Sequence, residues 1–167
     1  MPFPTVRRRF AGQAMLAATV AALLLPAACS SPPPPPPPTV VNLKLTTSAD
    51  VNPTQSGQGA PVVVRVYQLS SPAGFEKAEF FRLLNQDAAT LGSDVVKKDE
   101  YLLPPDTSKT VTLNPGATVK SLGVFAAFRE FHDVTWRGTA DVPANKTTDV
   151  TVTADGKGVT VAAKPGS

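Results

Sequence analysis

Few side chains in this sequence are able to make or break bonds. Among its 167 residues there is one cysteine, Cys29, and one histidine, His132. A thiolate is a nucleophile, and an imidazole beside a carboxylate can serve as a general base. His132-Asp133 supplies those two groups side by side, but a catalytic pair also needs a nucleophile within reach, and spacing marks none. The pair follows the strand expected at Phe125–Phe131 and precedes Trp136, which predicts a hairpin turn. Asp155-Gly156-Lys157-Gly158 has the composition of a Ca²⁺ or phosphate loop but lacks the further ligands such loops need, so it reads as a hairpin turn as well. Lys97-Lys98-Asp99-Glu100 reads as a solvated charge run ahead of a strand at Tyr101-Leu102-Leu103. No enzyme, no metal and no small-molecule substrate is expected from this inventory.

The chemistry of Cys29 is set by what precedes it. Arg7, Arg8 and Arg9 form a basic start, and no acidic residue occurs before Asp50. An apolar run from Ala14 to Leu25 follows, roughly a dozen residues against the ~20 a bilayer span needs. Pro26, Ala27 and Ala28 close it. This is the pattern of an export signal peptide that is removed from the mature chain. Leu25-Pro26-Ala27-Ala28-Cys29 resembles a lipobox, with Pro26 standing where an aliphatic residue is usual and Leu25 one place earlier. The expected modification is a covalent lipid on Cys29, with no other cofactor. Arg7-Arg8-Arg9-Phe10 overlaps a twin-arginine pattern and equally suits plain membrane orientation, so both export routes stay open. Ser30 in second place resembles outer-membrane sorting.

Loss of the leader changes the charge. The 16 basic residues less Arg7, Arg8 and Arg9 leave 13 against 13 acidic ones, a formal balance. A mature domain without basic excess gives no footprint for nucleic acid. After Cys29 come Ser30, Ser31 and an unbroken run from Pro32 to Pro38. Such a run is a semi-rigid polyproline helix of about 3.1 Å per residue, which makes residues 29–39 a tether of roughly 30 Å. The expected plan is therefore a leader at 1–28, a lipidated tether at 29–39 and a periplasmic domain at 40–167.

In that domain, strand patterns dominate. Val41, Leu43 and Leu45 alternate with polar residues; Val62–Leu69 is apolar enough for a central strand; Val111 and Leu113 alternate with threonines; Leu122–Phe128 is apolar on both faces. Val134–Val142, Thr147–Thr153 and Gly158–Ala163 complete a set of short strands, punctuated by Asn114-Pro115-Gly116 and Pro143-Ala144-Asn145. The pattern predicts a mainly β fold, an antiparallel β-sandwich or small barrel. One segment is helical in period: Phe80, Leu83, Leu84, Ala88 and Leu91 recur at i, i+3 and i+4. Ser71-Pro72 would open it, Gly92 would close it, and Asn85-Gln86 would interrupt it. It makes a small helical insertion after the second strand, with Phe75, Phe80 and Phe81 expected as its core.

Between the first two strands lies an unusually long polar connection, Ala49–Pro61. It holds Asp50, Val51, Asn52, Pro53, Thr54, Gln55, Ser56, Gly57, Gln58 and Gly59. A long loop on a rigid sandwich is a candidate recognition element, and a passive connection fits the same composition equally well.

The lipobox cysteine, Ser48-Ala49-Asp50-Val51-Asn52-Pro53, and Pro61-Val62-Val63-Val64-Arg65-Val66-Tyr67-Gln68-Leu69 together resemble the TssJ (VasD/SciN) lipoprotein family of type VI secretion systems. Phe75–Phe81, Asp87-Ala88-Ala89-Thr90-Leu91-Gly92 and Leu122–Arg129 fit the same family, so the resemblance spans Val40 to about Val161. It implies a transthyretin-like β-sandwich, held at the outer membrane by its lipid, that binds the periplasmic C-terminal domain of TssM in a membrane complex with TssL. It also implies that residues 50–59 are the TssM-contacting loop. Two rivals remain: a lipoprotein that binds peptidoglycan or glycan through Trp136 and Tyr67, and a transthyretin-like hydrolase using His132.

Overall fold

The computed structural model describes residues 33–166; the leader, Cys29 and its neighbours lie outside the described residues. Residues 33–38 carry no regular secondary structure and are exposed. Eight strands follow in two four-stranded sheets. The first holds β4 (Ser108–Leu113), β1 (Val40–Thr47), β7 (Thr147–Asp155) and β8 (Gly158–Pro165) in that order. The second holds β3 (Val95–Leu103), β2 (Val62–Leu69), β5 (Ser121–Ala126) and β6 (Arg137–Asp141). The expected sandwich forms, with one pairing the strand pattern could not show. β1 and β7 run parallel, Val40 beside Thr147 and Thr47 beside Ala154.

The alternation read along each strand is the alternation of burial. Val41, Leu43 and Leu45 point inward from β1 to meet Val62, Val64 and Val66 of β2 and Leu122, Val124 and Ala126 of β5. Each valine and leucine among them contributes about 1.5–3 kcal/mol on leaving water. β5 is apolar on both faces because a third layer covers its outer side. Phe125, Tyr67 and Leu69 of the second sheet pack there against Phe75, Phe80, Leu83 and Leu91 of the helical insertion. Gly123 is required beneath that layer, since a Cβ would lie 2.8 Å from Leu69 and 3.1 Å from Phe75.

The insertion contains α1 (Ala73–Lys77) and α2 (Phe80–Leu91), then a short 3-10 turn at Gly92–Asp94. α2 kinks at Gln86 (φ −140°, ψ 31°) and ends on Gly92 (φ +50°), where the sequence places an interruption and a stop. Ala88 is exposed although it shares the helical period with buried Leu83 and Leu91. One aromatic expectation is corrected. Phe75 and Phe80 are core, but Phe81 is 56% exposed. It is one residue beyond Phe80, about 100° around the helix, and therefore faces out.

Candidate docking site

β1 brings the chain in at Val40 and leads out at Thr47, so the connection to β2 stands at the opposite end of that strand from Val40. Its two legs are built into the domain. Val51 is fully buried in the main core and Asn52 is 6% exposed. The N–H of Ala60 donates to Val51 O at 2.9 Å, and Asn52 Nδ2 donates to Pro61 O at 2.8 Å, closing the stem. Asn52 Oδ1 accepts the N–H of Arg129 at 2.8 Å. Asn52 sits at φ +47°, a region Asn tolerates better than most residues. At Gly59 the opposite leg passes so close that a Cβ would lie 2.0 Å from Ala49 O. The stem is a packed unit.

Asp50 fastens the stem sideways. Its Oδ1 accepts from Ser48 Oγ at 2.5 Å, and this hydrogen bond holds its carboxyl below the usual carboxylate range. The turn between β7 and β8 lies against it, where a Cβ at Gly156 would come 2.8 Å from Asp50 Oδ2 and 3.2 Å from Asp50 O. Asp106 N–H donates to Ser48 O at 3.1 Å from the β3–β4 turn.

The tip is small and solvated. Thr54 N–H donates to Gln58 O, and Gly57 N–H donates back to Thr54 O, both at 2.8 Å. Thr54 Oγ1 and Ser56 Oγ are 2.9 Å apart. Gly57 takes φ +79°, a turn conformation that suits glycine. Gln55, Ser56, Gly57 and Gln58 are exposed, while Pro53, Thr54 and Gly59 are partly covered. Residues 51–59 present amides, hydroxyls and main chain, with no charge. Such a surface suits neutral hydrogen-bonded docking. The ten residues predicted as one contact loop therefore divide into a buried stem and an exposed tip.

The other candidates fall elsewhere. His132 and Asp133 are exposed bends in the 127–136 loop between β5 and β6, which is longer than the hairpin turn expected there. His132 lies tilted by 35° against Phe131 at 4.0 Å between ring centroids, and Phe131 stacks on Phe80 at 4.2 Å. Asp155–Gly158 is the expected two-residue hairpin, with Lys157 N–H donating to Asp155 Oδ1 at 2.8 Å. Of the proposed glycan-binding pair, Tyr67 is fully buried and its hydroxyl donates to Asp87 Oδ2 at 3.0 Å, so it offers no open ring. Trp136 is half-buried, with Arg137 over its ring at 4.6 Å.

One polar network has no counterpart in the sequence reading. Lys97–Glu100 lies inside β3 rather than before it. Lys98 Nζ donates to Asp87 Oδ2 at 2.8 Å, and Arg65 Nε donates to Glu100 Oε2 at 2.7 Å. Arg65 Nη1 also donates to Leu83 O (2.9 Å) and Leu84 O (3.0 Å), carbonyls next to the Gln86 kink. Burial pushes the Asp87 pKa up, but hydrogen bonds from Lys98 and Tyr67 outweigh it and hold the carboxyl below its ordinary value. Burial, with Asp87 alongside, raises the Tyr67 phenol well above its ordinary value. A lone arginine in a β-branched strand was the one available sequence clue to this clamp.

Residues 39–157 match the family model described as type VI secretion lipoprotein, VasD, EvfM, TssJ. The chain is similar to the type VI lipoprotein TssJ1 from Pseudomonas aeruginosa, with 33% identity and a TM-score of 0.75 over 78% of this chain and 100% of that one. It shares its fold with Serratia marcescens Lip, described as a membrane-bound component of the type VI secretion system (24% identity, TM-score 0.69, 75% and 98% covered). It also shares it with a chain from a structure described as a type VI membrane complex (23% identity, TM-score 0.65, 74% and 98% covered). No curated protein matches the chain.

Proposed function

Because the chain belongs to the type VI secretion lipoprotein family of VasD, EvfM and TssJ, we propose that it is a lipid-anchored docking module. In this reading it holds the periplasmic C-terminal domain of TssM at the outer membrane, within a membrane complex that includes TssL. Acylated Cys29 supplies location, the proline tether supplies reach, and the tip Gln55–Gln58 supplies contact. One observation carries the reading: a hydrogen-bonded stem projects a neutral tip beyond the Thr47 end of β1, away from Val40 where the chain enters that strand. A stem fixed before binding spares the ordering cost that a floppy loop would incur on association. With the mature chain balanced in charge, affinity would come from shape, main-chain and amide contacts rather than from long-range steering.

The cellular test is rescue of a strain that lacks the gene. Wild type is expected to fractionate with the outer membrane and restore secretion, and Cys29→Ser is expected to stay soluble in the periplasm and fail. Full secretion by Cys29→Ser would overturn the anchored-docking reading.

A further inference from the structure

The helical layer leaves part of the second sheet's outer face bare. Arg65 and Glu100 pair on that face, where Arg65 also reaches the carbonyls of Leu83 and Leu84. Side chains two residues apart along a strand share a face, so Val63 and Leu102 point the same way, one step nearer the β1–β2 loop. They are partners in the ladder. Ala127 joins their row, since it follows Phe125 by two and its N–H donates to Val63 O at 2.8 Å. The helices close over Phe125 but not over this row. Val63 and Ala127 are half-buried, and Leu102 is 67% exposed.

The row continues as aromatic surface. Ala127 and Phe131 pack on the cluster that contains Phe80. Phe131 stacks on buried Phe80, and Phe81 meets Phe131 edge-on at 5.0 Å between centroids. Leu102, Val63, Ala127, Phe131 and Phe81 thus form a strip of uncharged side chains. Its loop end is the stem. Asn52 donates to the carbonyl of Pro61, two residues before Val63, and accepts from Arg129, two residues beyond Ala127. Strip and tip are therefore joined through Asn52.

A specific protein interface engages about 20–30 residues a side, with aromatic side chains enriched and charge depleted at its centre. The tip Gln55–Gln58 offers four exposed residues. A partner that grips it must also rest on neighbouring surface. The β3–β4 and β7–β8 turns beside the stem carry Asp106, and Asp155 with Lys157. The strip is the uncharged neighbour. Among the described residues Phe81, Leu102 and Val96 are the exposed large apolar side chains. Two of them lie in the strip, and Val96 stands at the far end of β3, next to Val95 opposite Leu69.

We propose that this strip is the apolar half of the docking surface, covered by the same partner that the tip contacts. The inference rests on the docking reading above and adds what that partner must present. Beside groups that hydrogen-bond to amides and main chain, it needs an uncharged face of aliphatic or aromatic side chains. The tip fixes the register, and the strip supplies the apolar area whose removal from water drives association.

The test titrates the exported Cys29→Ser chain with the periplasmic C-terminal domain of TssM. Leu102→Thr/Phe81→Gln replaces two exposed side chains by residues that suit a strand and a helix. At an unchanged melting temperature it is expected to weaken binding about tenfold or more. Leu102→Thr alone, outside both helices, is expected to show part of that loss, and Val96→Thr is expected to bind as wild type. Wild-type affinity in the double variant, beside weakened binding by Gln55→Ala/Ser56→Ala/Gln58→Ala, would overturn the strip and leave the tip standing. Equal weakening by Val96→Thr would overturn it as well. So would self-association of the chain that the double variant abolishes while TssM binding is kept, because a second copy would then be the occupant. No binding by the wild type would overturn the docking reading and the strip with it.

Discussion

The main-chain N–H of Arg129 donates to Oδ1 of Asn52 at 2.8 Å, joining the β1–β2 loop to the β5–β6 loop across 77 residues of sequence. The same side chain donates to Pro61 O at 2.8 Å. One buried amide therefore fixes both legs of the projecting loop and ties it to its neighbour. Asn52→Ala leaves a main-chain donor and an acceptor without partners and places alanine at φ +47°. The expected loss is about 1–3 kcal/mol, read by denaturant unfolding, with faster amide exchange at Arg129.

The two glycines of this loop separate space from backbone strain. Gly59→Ala would put a methyl 2.0 Å from Ala49 O, so the stem must open. Gly57→Ala meets nothing within 4 Å and carries only the penalty of φ +79°, about 1–2 kcal/mol. Thermal unfolding should rank Gly59→Ala well below Gly57→Ala, and the latter below wild type.

How much of this was legible beforehand follows from what each residue answers to. β2 could be read to its ends because Val62–Leu69 is both β-branched and bounded by Pro61 and Ser70-Ser71-Pro72. The interruption at Gln86 and the stop at Gly92 are local chemistry and were visible too. The parallel pairing of β1 with β7 was not, because it is settled by which strands share a sheet. The loop's limits were plain from composition, yet the division between buried Val51-Asn52 and exposed Gln55–Gln58 depends on Arg129, far along the chain. Phe81 misled because a helical stripe is read in steps of three and four, and its neighbour Phe80 takes the inward place.

Arg65 holds the helical layer onto the sheet through the carbonyls of Leu83 and Leu84. Arg65→Met keeps the apolar stem but loses those donors and the bond to Glu100. The expected cost is about 2–3 kcal/mol. Arg65→Lys should recover only part of it, since an ammonium cannot span the same fork. Denaturant unfolding of the three proteins, with circular dichroism reporting the helices, checks the order.

Asp87 gives the network its pH dependence. Its carboxyl is held below the ordinary value in the folded chain, so its stabilisation is fully present above the unfolded value, 3.8. It is lost as pH falls below about 4, through the folded value. Asp87→Asn should therefore lower stability near neutrality and flatten the acid limb of the stability profile. An unchanged acid limb would show that the charge on Asp87 contributes nothing.

The central claim is that the tip of the β1–β2 loop is what a partner touches. Titrating the periplasmic C-terminal domain of TssM against this domain tests it most directly. The variant Gln55→Ala/Ser56→Ala/Gln58→Ala removes exposed side chains and leaves the buried stem of Val51 and Asn52 in place. Saturable binding to wild type, weakened about tenfold or more in the variant at an unchanged melting temperature, is the predicted result. Undiminished binding by the triple variant would contradict the assignment of the tip, and no binding by wild type would contradict the docking function itself.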